Sequence, residues 1–487
     1  MAKVHFVSLG CPKNRVDAEH MLGISVEGGH SVVEDPDQAD TIVINTCGFI
    51  GEAKKESIEA ILEMGAVKAK TGARLVVSGC MVQRYVGELE RELPEIDAFL
   101  GTSDYARIGE VLGPAASTTR SSSLLRVLPS DAVEHQREHV HGDEHEHAQK
   151  LISPTPTFVA GCELPRVNSM PRYTAYLKIA EGCDNACAFC IIPELRGAQR
   201  SRSIDDLVKE ATRLADGGVV ELNLVAQDLS GYGHDLPHRP TLAALLAALA
   251  RVPGLRWVRC MYLYPRTLSD GLLAELDRGA NALPYLDIPT QHGSDRMLRL
   301  MRRGKDQRRL TELLTGVRAS VRHAVLRTSV IVGFPGEEDQ DFQRLLDFAE
   351  AVRFERLGVF KYSDEEGTAA FALPHKVSAA KKRSRHDKLM RRQRRIHEEK
   401  SRALIGTVHE AIVEGRSEEH ELLVKGRLWS QAPEIDGSTY LSSARTLHTG
   451  EIVHVVVTDV KDYDVVAEVL DHDDPRVAES VPFACRR

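Results

Sequence analysis

Short apolar runs alternate with stretches in which an apolar residue returns every third or fourth position, and this alternation continues to about residue 366. The pattern predicts buried parallel strands joined by amphipathic helices. In the first segment, residues 4–9, 41–45 and 74–78 read as strands, with helices at 14–28, 51–70 and 82–93. Residues 1–112 are therefore predicted to form an N-terminal doubly wound α/β domain. Further on, strand patterns at 175–179, 219–225, 255–263, 283–288, 327–333 and 356–362 alternate with helical ones, such as 204–216. Ser203 suits the N-cap of that helix, and acidic residues occupy its first turn. Six βα units predict an open, incomplete (βα)6 barrel in a central domain spanning 169–400. Short strand patterns at 406–413, 421–428, 439–441, 451–459 and 464–470 predict a small, OB-like five-stranded barrel over 401–473, ahead of a tail at 474–487.

Two stretches break the pattern. Residues 113–168 are rich in Ser, Thr and Pro and hold His135, His139, His141, His145 and His147. Those histidines could bind zinc or nickel weakly, but the composition favours a solvated linker with no core to bury. The helix pattern at 378–402 is strongly basic, from Lys381 to Arg402, and reads as a solvated face or a brace between domains that could also graze phosphates.

Composition narrows the class. The 487 residues are 42% hydrophobic and 28% charged, ordinary for a globular protein. No apolar run is long enough for a membrane span, and the N-terminus enters a strand pattern directly, with no signal peptide. Nine cysteines, most in ligand-like positions, suggest reduced thiols and iron. A cytoplasmic location is expected. The net charge of −8 does not suggest a nucleic-acid binder overall.

The strongest chemical signal is Glu181-Gly182-Cys183-Asp184-Asn185-Ala186-Cys187-Ala188-Phe189-Cys190, directly after an apolar strand. Three thiolates on one tight loop suit three irons of a 4Fe-4S cluster and leave the fourth iron open for chemistry. Structural zinc would more often show paired knuckles and a fourth ligand nearby. In the N-terminal segment each main strand also ends at a cysteine: Cys11, Cys47 and Cys80. Ligands of open parallel sheets bind at the carboxyl ends of strands, so these three predict a second cluster. The competing reading is that cysteines are common buried residues. Cys260 reads as a core residue within a strand, while Cys162 and Cys485 have no evident partner.

The loop and its flanks, from Tyr176 to Arg202, resemble the methylthiotransferase branch of the radical S-adenosylmethionine superfamily. Ser8-Leu9-Gly10-Cys11-Pro12-Lys13-Asn14-Arg15-Val16-Asp17 and Ala432-Pro433-Glu434-Ile435-Asp436-Gly437 resemble the RimO-type group, which modifies a ribosomal protein. The tail barrel resembles a TRAM module. This resemblance implies two 4Fe-4S clusters, S-adenosylmethionine, and a reductant such as flavodoxin or ferredoxin. It also implies transfer of a methylthio group to an aspartate β-carbon of ribosomal protein S-twelve, the second cluster holding or delivering the sulfur. Arg200, Gln227 and the Gly333 turn are the resulting candidates for holding S-adenosylmethionine; no acid–base pair is nominated. The tail carries five basic against twelve acidic side chains over 403–470, which suits a basic protein partner better than a phosphate backbone. A transfer-RNA adenosine methylthiotransferase is the alternative, with the basic helix as its RNA footing. A non-catalytic iron–sulfur carrier is the third reading.

Overall fold

The computed structural model describes residues 1–113, 148–417 and 423–481. The His135–His147 stretch and Cys485 lie outside the described residues. The N-terminal domain is one parallel sheet of strands β1 (Lys3–Ser8), β2 (Ser31–Val32), β3 (Thr41–Thr46), β4 (Arg74–Gly79), β5 (Ala98–Leu100) and β6 (Gln149–Leu151), in the order β2-β1-β3-β4-β5-β6. Separate apolar clusters cover its two faces, one around Ile42, Ile44 and Val77 and one around Val4, Val43 and Val76. The order reverses direction between β1 and β3, which makes that edge the topological switch point.

β6 departs from the sequence expectation. It belongs to the stretch read as a linker, 113–168, yet it pairs with β5 in register from Ala98 opposite Gln149 to Leu100 opposite Leu151. The chain that follows is packed as well. Val167 donates its N–H to Glu19 O, and Arg166 binds both Glu19 and Glu210 from a buried position. A side chain at Gly23 would sit 2.5 Å from Arg166 N, so helix α1 (Pro12–Glu27) can lie against this segment only with glycine there. A low-hydrophobicity composition misled here because the apolar residues the segment buries, Leu151 and Ala160 among them, are few and scattered, and strand pairing and ion pairs complete its packing.

The central domain is a parallel sheet of β7 (Thr174–Lys178), β10 (Glu221–Val225), β11 (Trp257–Cys260), β12 (Ala282–Asp287), β13 (Val325–Val332) and β14 (Arg356–Lys361), in that spatial order. All six sequence-predicted strands are present. A two-residue ribbon, β8 (Ala180–Glu181) with β9 (Arg200–Ser201), leaves the top of β7. Ser203 caps the helix Ile204–Asp216 by accepting from Asp206 N, and Cys260 is fully buried in β11. Because β7 and β14 do not pair, the barrel is open. The N-terminal domain reaches both edges of that opening: Asp17 of α1 meets Lys178 of β7, and Lys54 and Arg84 hold Glu365 just beyond β14, at 2.8 and 2.9 Å.

The last strands, β15 (Val408–Arg416), β16 (Val424–Leu428), β17 (Thr439–Ser442), β18 (Ile452–Lys461) and β19 (Asp464–Val469), close into a barrel in the order β15-β16-β17-β19-β18. It docks at the N-terminal ends of the central strands. Arg427 donates to both oxygens of Glu221 at 2.6 and 3.2 Å, while Arg259 and Thr174 share the same carboxylate. Glu410 accepts from Arg256 and from the Trp257 indole. Asp436 accepts from Tyr285 at 2.8 Å, and Glu434 pairs with Arg15 and Tyr176. A single apolar cluster holds Val16, Tyr176, Tyr285 and Trp429, so all three domains share one piece of core. The tail's acidic excess is thus partly spent on holding the barrel in place, not displayed as a surface for a basic partner. The basic helix Ala379–Arg402 is a brace in the same sense: Arg385 meets Glu337 and Asp339, Arg392 and Arg395 both meet Glu350, and Lys400 meets Glu355.

These joints define two expectations. Arg427→Met leaves Glu221 with less compensation, and removing one partner of a buried ion pair costs about 3–5 kcal/mol. A lower melting temperature and faster proteolysis at the barrel junction are expected. Burial alone would raise the pKa of Glu221 and Glu210, but Arg427 with Arg259, and Arg166 with Arg202, hold each at about 2. Depressed carboxylates give stability that is complete above their unfolded value of about 4.3 and is lost as pH falls toward the folded one. Melting temperature is therefore expected to fall on acidification below about pH 4.3; a flat profile down to pH 2 would refute these assignments.

Candidate functional site

Two groups of cysteines face the junction between the N-terminal and central domains. Cys11 is the N-cap of α1, Cys47 follows β3, and Cys80 opens helix α2 (Cys80–Glu92). Cys11 and Cys47 flank the switch point, with Cys80 one strand further. Glycines bring them together. A side chain at Gly10, whose φ is +90°, would approach Cys47 Cβ to 2.8 Å, and one at Gly48 would meet Cys80 O at 2.8 Å. The result is a small cradle of three sulfurs at the carboxyl edge of the sheet. Burial pushes the Cys47 thiol up to about 12 and raises that of Cys80, against the pull of Arg196. Protein groups alone keep these two sulfurs neutral; the charge of bound iron is what makes thiolates of such groups.

The second group sits on the loop that follows β8. Cys183 N donates to Gly197 O, and Cys190 N to Cys187 O, so the loop is folded back on the turn ahead of β9. Gly182, with φ of +82°, allows this: a Cβ there would lie 2.1 Å from Ala198 O. Asn185 Nδ2 points at Cys183 Sγ at 3.4 Å, and Arg303 Nη1 donates to Cys187 Sγ at 3.1 Å. Burial raises Cys183 and pushes Cys190 up to about 12. The far side of the loop packs through Ala188 against Met297, Met301 and Phe334. Among the described residues no three His, Cys, Asp or Glu side chains close on one point as the ligands of a single ion do. A cube of four irons asks instead for one sulfur at each of three separate corners.

Between the two groups lies a buried ionic network. Arg196, six residues beyond Cys190, donates Nη1 to Asp17 at 2.7 Å and to Glu181 at 3.1 Å, and Nη2 to Asn14 at 3.0 Å and Cys80 Sγ at 3.4 Å. Lys178 meets Asp17 and Glu181 from the other side. Burial would raise Glu181, but Arg196 and Lys178 overcome it and hold the carboxyl at about 2. One guanidinium thus touches a cysteine of the N-terminal group while its own helix, Ile192–Arg196, begins just after the last cysteine of the central group. The residues that make this joint, Asp17, Lys178, Glu181 and Arg196, were not singled out from sequence. A lysine inside an otherwise apolar strand was the available signal.

The three candidates for S-adenosylmethionine land differently. Gln227 is on the rim above β10; its Nε2 donates to Glu181 at 2.6 Å, and its Oε1 is buried without a partner among the described residues. Arg200 spends its guanidinium on the carbonyls of Ala198, Arg196 and Phe158, bracing the turn beneath the cysteine loop. Gly333 follows β13 with φ of +74°, and a Cβ there would come within 2.3 Å of Lys382 Cγ. Its need for glycine is met by the close approach of the basic helix. Gln227 thus keeps one buried, unpartnered acceptor, and the contacts of Arg200 and Gly333 are with the chain itself.

Comparison with known proteins adds the family. Residues 3–101 match the model described as "Uncharacterized protein family UPF0004", 177–349 the radical SAM superfamily, and 405–470 the TRAM domain. The radical SAM match brings S-adenosylmethionine and one 4Fe-4S cluster as cofactors. Among solved structures, the radical S-adenosylmethionine methyltransferase TsrM from Kitasatospora setae shares the fold, with a TM-score of 0.51 at 15% identity over 76% of each chain. The protein named ribosomal protein uS12 methylthiotransferase RimO from Anaeromyxobacter sp. (strain K) is 50% identical over 485 residues, 99% of this chain and 97% of that one. Its namesake from Myxococcus xanthus (strain DK1622) is 48% identical over 98% of this chain and 93% of its own. With such identity spread over all three domains, the chain belongs to the RimO family of methylthiotransferases.

Proposed function

We propose that the protein is a methylthiotransferase that replaces a hydrogen on the β-carbon of one aspartate of ribosomal protein uS12 by a methylthio group, in the cytoplasm. The observation that carries this is the pairing of two cysteine triads, on two domains, through Arg196. Cys183, Cys187 and Cys190 hold one 4Fe-4S cluster in this reading, and Cys11, Cys47 and Cys80 hold a second. When bound, S-adenosylmethionine and the first cluster would supply a carbon radical that takes hydrogen from an unactivated C–H bond, the second cluster would supply sulfur, and a second S-adenosylmethionine would supply the methyl group. The chain's own part is positional. Asn185 and Arg303 each aim a donor at a sulfur of the central triad, and Arg196 does so for Cys80. Gln227 Oε1 is the unpartnered acceptor on the rim, suited to a cationic group of S-adenosylmethionine. The apolar packing behind the loop, from Ala188 to Phe334, excludes water from one side of the site. A flavodoxin or ferredoxin supplies electrons. Exposed arginines left over on the brace helix, among them Arg391 and Arg394, are the candidate contacts to RNA within 381–402.

Mass spectrometry of uS12 and of total transfer RNA, from cells with and without the gene, tests the reaction. Loss of a methylthio increment from one aspartate of uS12, with transfer RNA unchanged, is expected; loss of a methylthio-adenosine would assign the RNA activity instead. Anaerobic reconstitution should give about eight irons per chain, the content of two cubes. Arg196→Met is expected to lower that toward about four by loosening the N-terminal triad, with circular dichroism reporting retained fold. An unchanged iron content in the variant would remove Arg196 from this role.

A further inference from the structure

The turn that holds Cys187 is also the centre of an unpaired basic surface. Arg303 is buried, stacks its guanidinium 4.1 Å from the centre of the Tyr264 ring, and donates to Cys187 Sγ and to Pro289 O. Its neighbours point outward. Arg299 and Arg302 are exposed and Lys305 half-exposed on the same turn. Arg266 lies against the other side, 6.0 Å from the same ring centre, and a Cβ at Gly304 would sit 3.7 Å from Arg266 Cδ. Among the described residues none of Arg266, Arg299, Arg302 and Lys305 has an ion-pair or side-chain hydrogen-bond partner. The nearby acids are already engaged: Asp306 caps the helix Gln307–Ser320, Asp295 accepts from Gln307 N, Glu312 pairs with Arg308, and Asp184 with His234. A cleft of about 390 Å³ opens beside Arg266 and Arg239. Its floor includes Asn185, which reaches Cys183 Sγ, and Gln199, whose Nε2 is buried without a partner.

Unpaired cations on the surface of a chain of net charge −8 mark an attachment point for an acidic partner. Their position over the central triad says what kind. We propose that this patch, Arg266, Arg299, Arg302 and Lys305, docks a small acidic electron-transfer protein whose one-electron cofactor faces the cleft above Asn185. One electron leaves the reduced donor and enters the cluster held by Cys183, Cys187 and Cys190; no atom moves with it. This rests on the proposed function for the presence of that cluster. The N-terminal domain touches the same rim at Tyr262, whose ring centre lies 3.6 Å from Lys13 Nζ, so the donor would dock beside that domain, on the Arg266 side of the β11 loop.

The test uses the full-length, anaerobically reconstituted protein and a reduced acidic flavodoxin as probe, with cluster bleaching followed by stopped-flow absorbance. The triple variant Arg299→Glu, Arg302→Glu, Lys305→Glu is expected to be reduced about tenfold or more slowly than the wild type at low salt. The wild-type rate should itself fall steeply as salt is added. Iron content and the extent of reduction by dithionite should stay unchanged, which shows that the variant is folded and loaded. Equal flavodoxin rates, or a wild-type rate indifferent to salt, would overturn the proposal. Equal rates together with weakened binding of small-subunit RNA would assign the patch to RNA. A wild type with no dithionite-reducible cluster would instead overturn the proposed function, and this inference with it.

Discussion

A single buried arginine ties this molecule together. Arg196 has no water to solvate it, so its charge must be met by protein groups, and those groups come from two domains. Asp17 and Asn14 approach from α1, Glu181 from β8, and Cys80 from the start of α2. Lys178 adds a second cation to the same two carboxylates. Buried ion pairs contribute little net stability, but they tolerate only one arrangement. In this protein that arrangement fixes the distance between two sets of cysteines on separate folding units. A hydrophobic interface of the same area would hold the domains together while allowing them to slip; a forked guanidinium shared among four partners does not.

Charge is used the same way at the other joints. Glu221, Glu410, Glu434 and Asp436 are spent on seating the tail barrel under the central strands, and the brace helix spends Arg385, Arg392, Arg395 and Lys400 against the outer helices and strands. Counted along the sequence, these residues describe an acidic barrel and a basic helix. Counted in space, the barrel's acids cancel across a domain boundary and the helix's bases cancel within the central domain. Uncancelled charge remains on the turn around Arg303, inside the arginine-rich run from Arg296 to Arg309, and on exposed residues of the brace helix such as Arg391 and Arg394.

Much of the architecture was legible because it rests on period alone. Strands buried on both faces read as continuous apolar runs, which places all six of the central domain, while the five strands of the tail barrel show as short runs with alternating burial. The cysteines were legible for a related reason. Cys183, Cys187 and Cys190 share one loop, so spacing reports their proximity directly. Cys11, Cys47 and Cys80 each end a parallel strand, and the topology of such a sheet gathers strand ends without any tertiary detail.

What escaped was everything whose partner lies far along the chain. Gly333 reads as a ligand turn until Lys382, 49 residues away, is found against it. Arg200 also donates to Phe158 O, 42 residues earlier in the chain. β6 lacks the length to announce itself and exists because Ala98–Leu100 offers an edge. The sequence by itself determined the strands, the helices and the six cysteine positions, since these follow from local periodicity and spacing. The tertiary structure alone decided which charges face each other, because pairing energy depends on separation in space and on burial, neither of which is encoded locally.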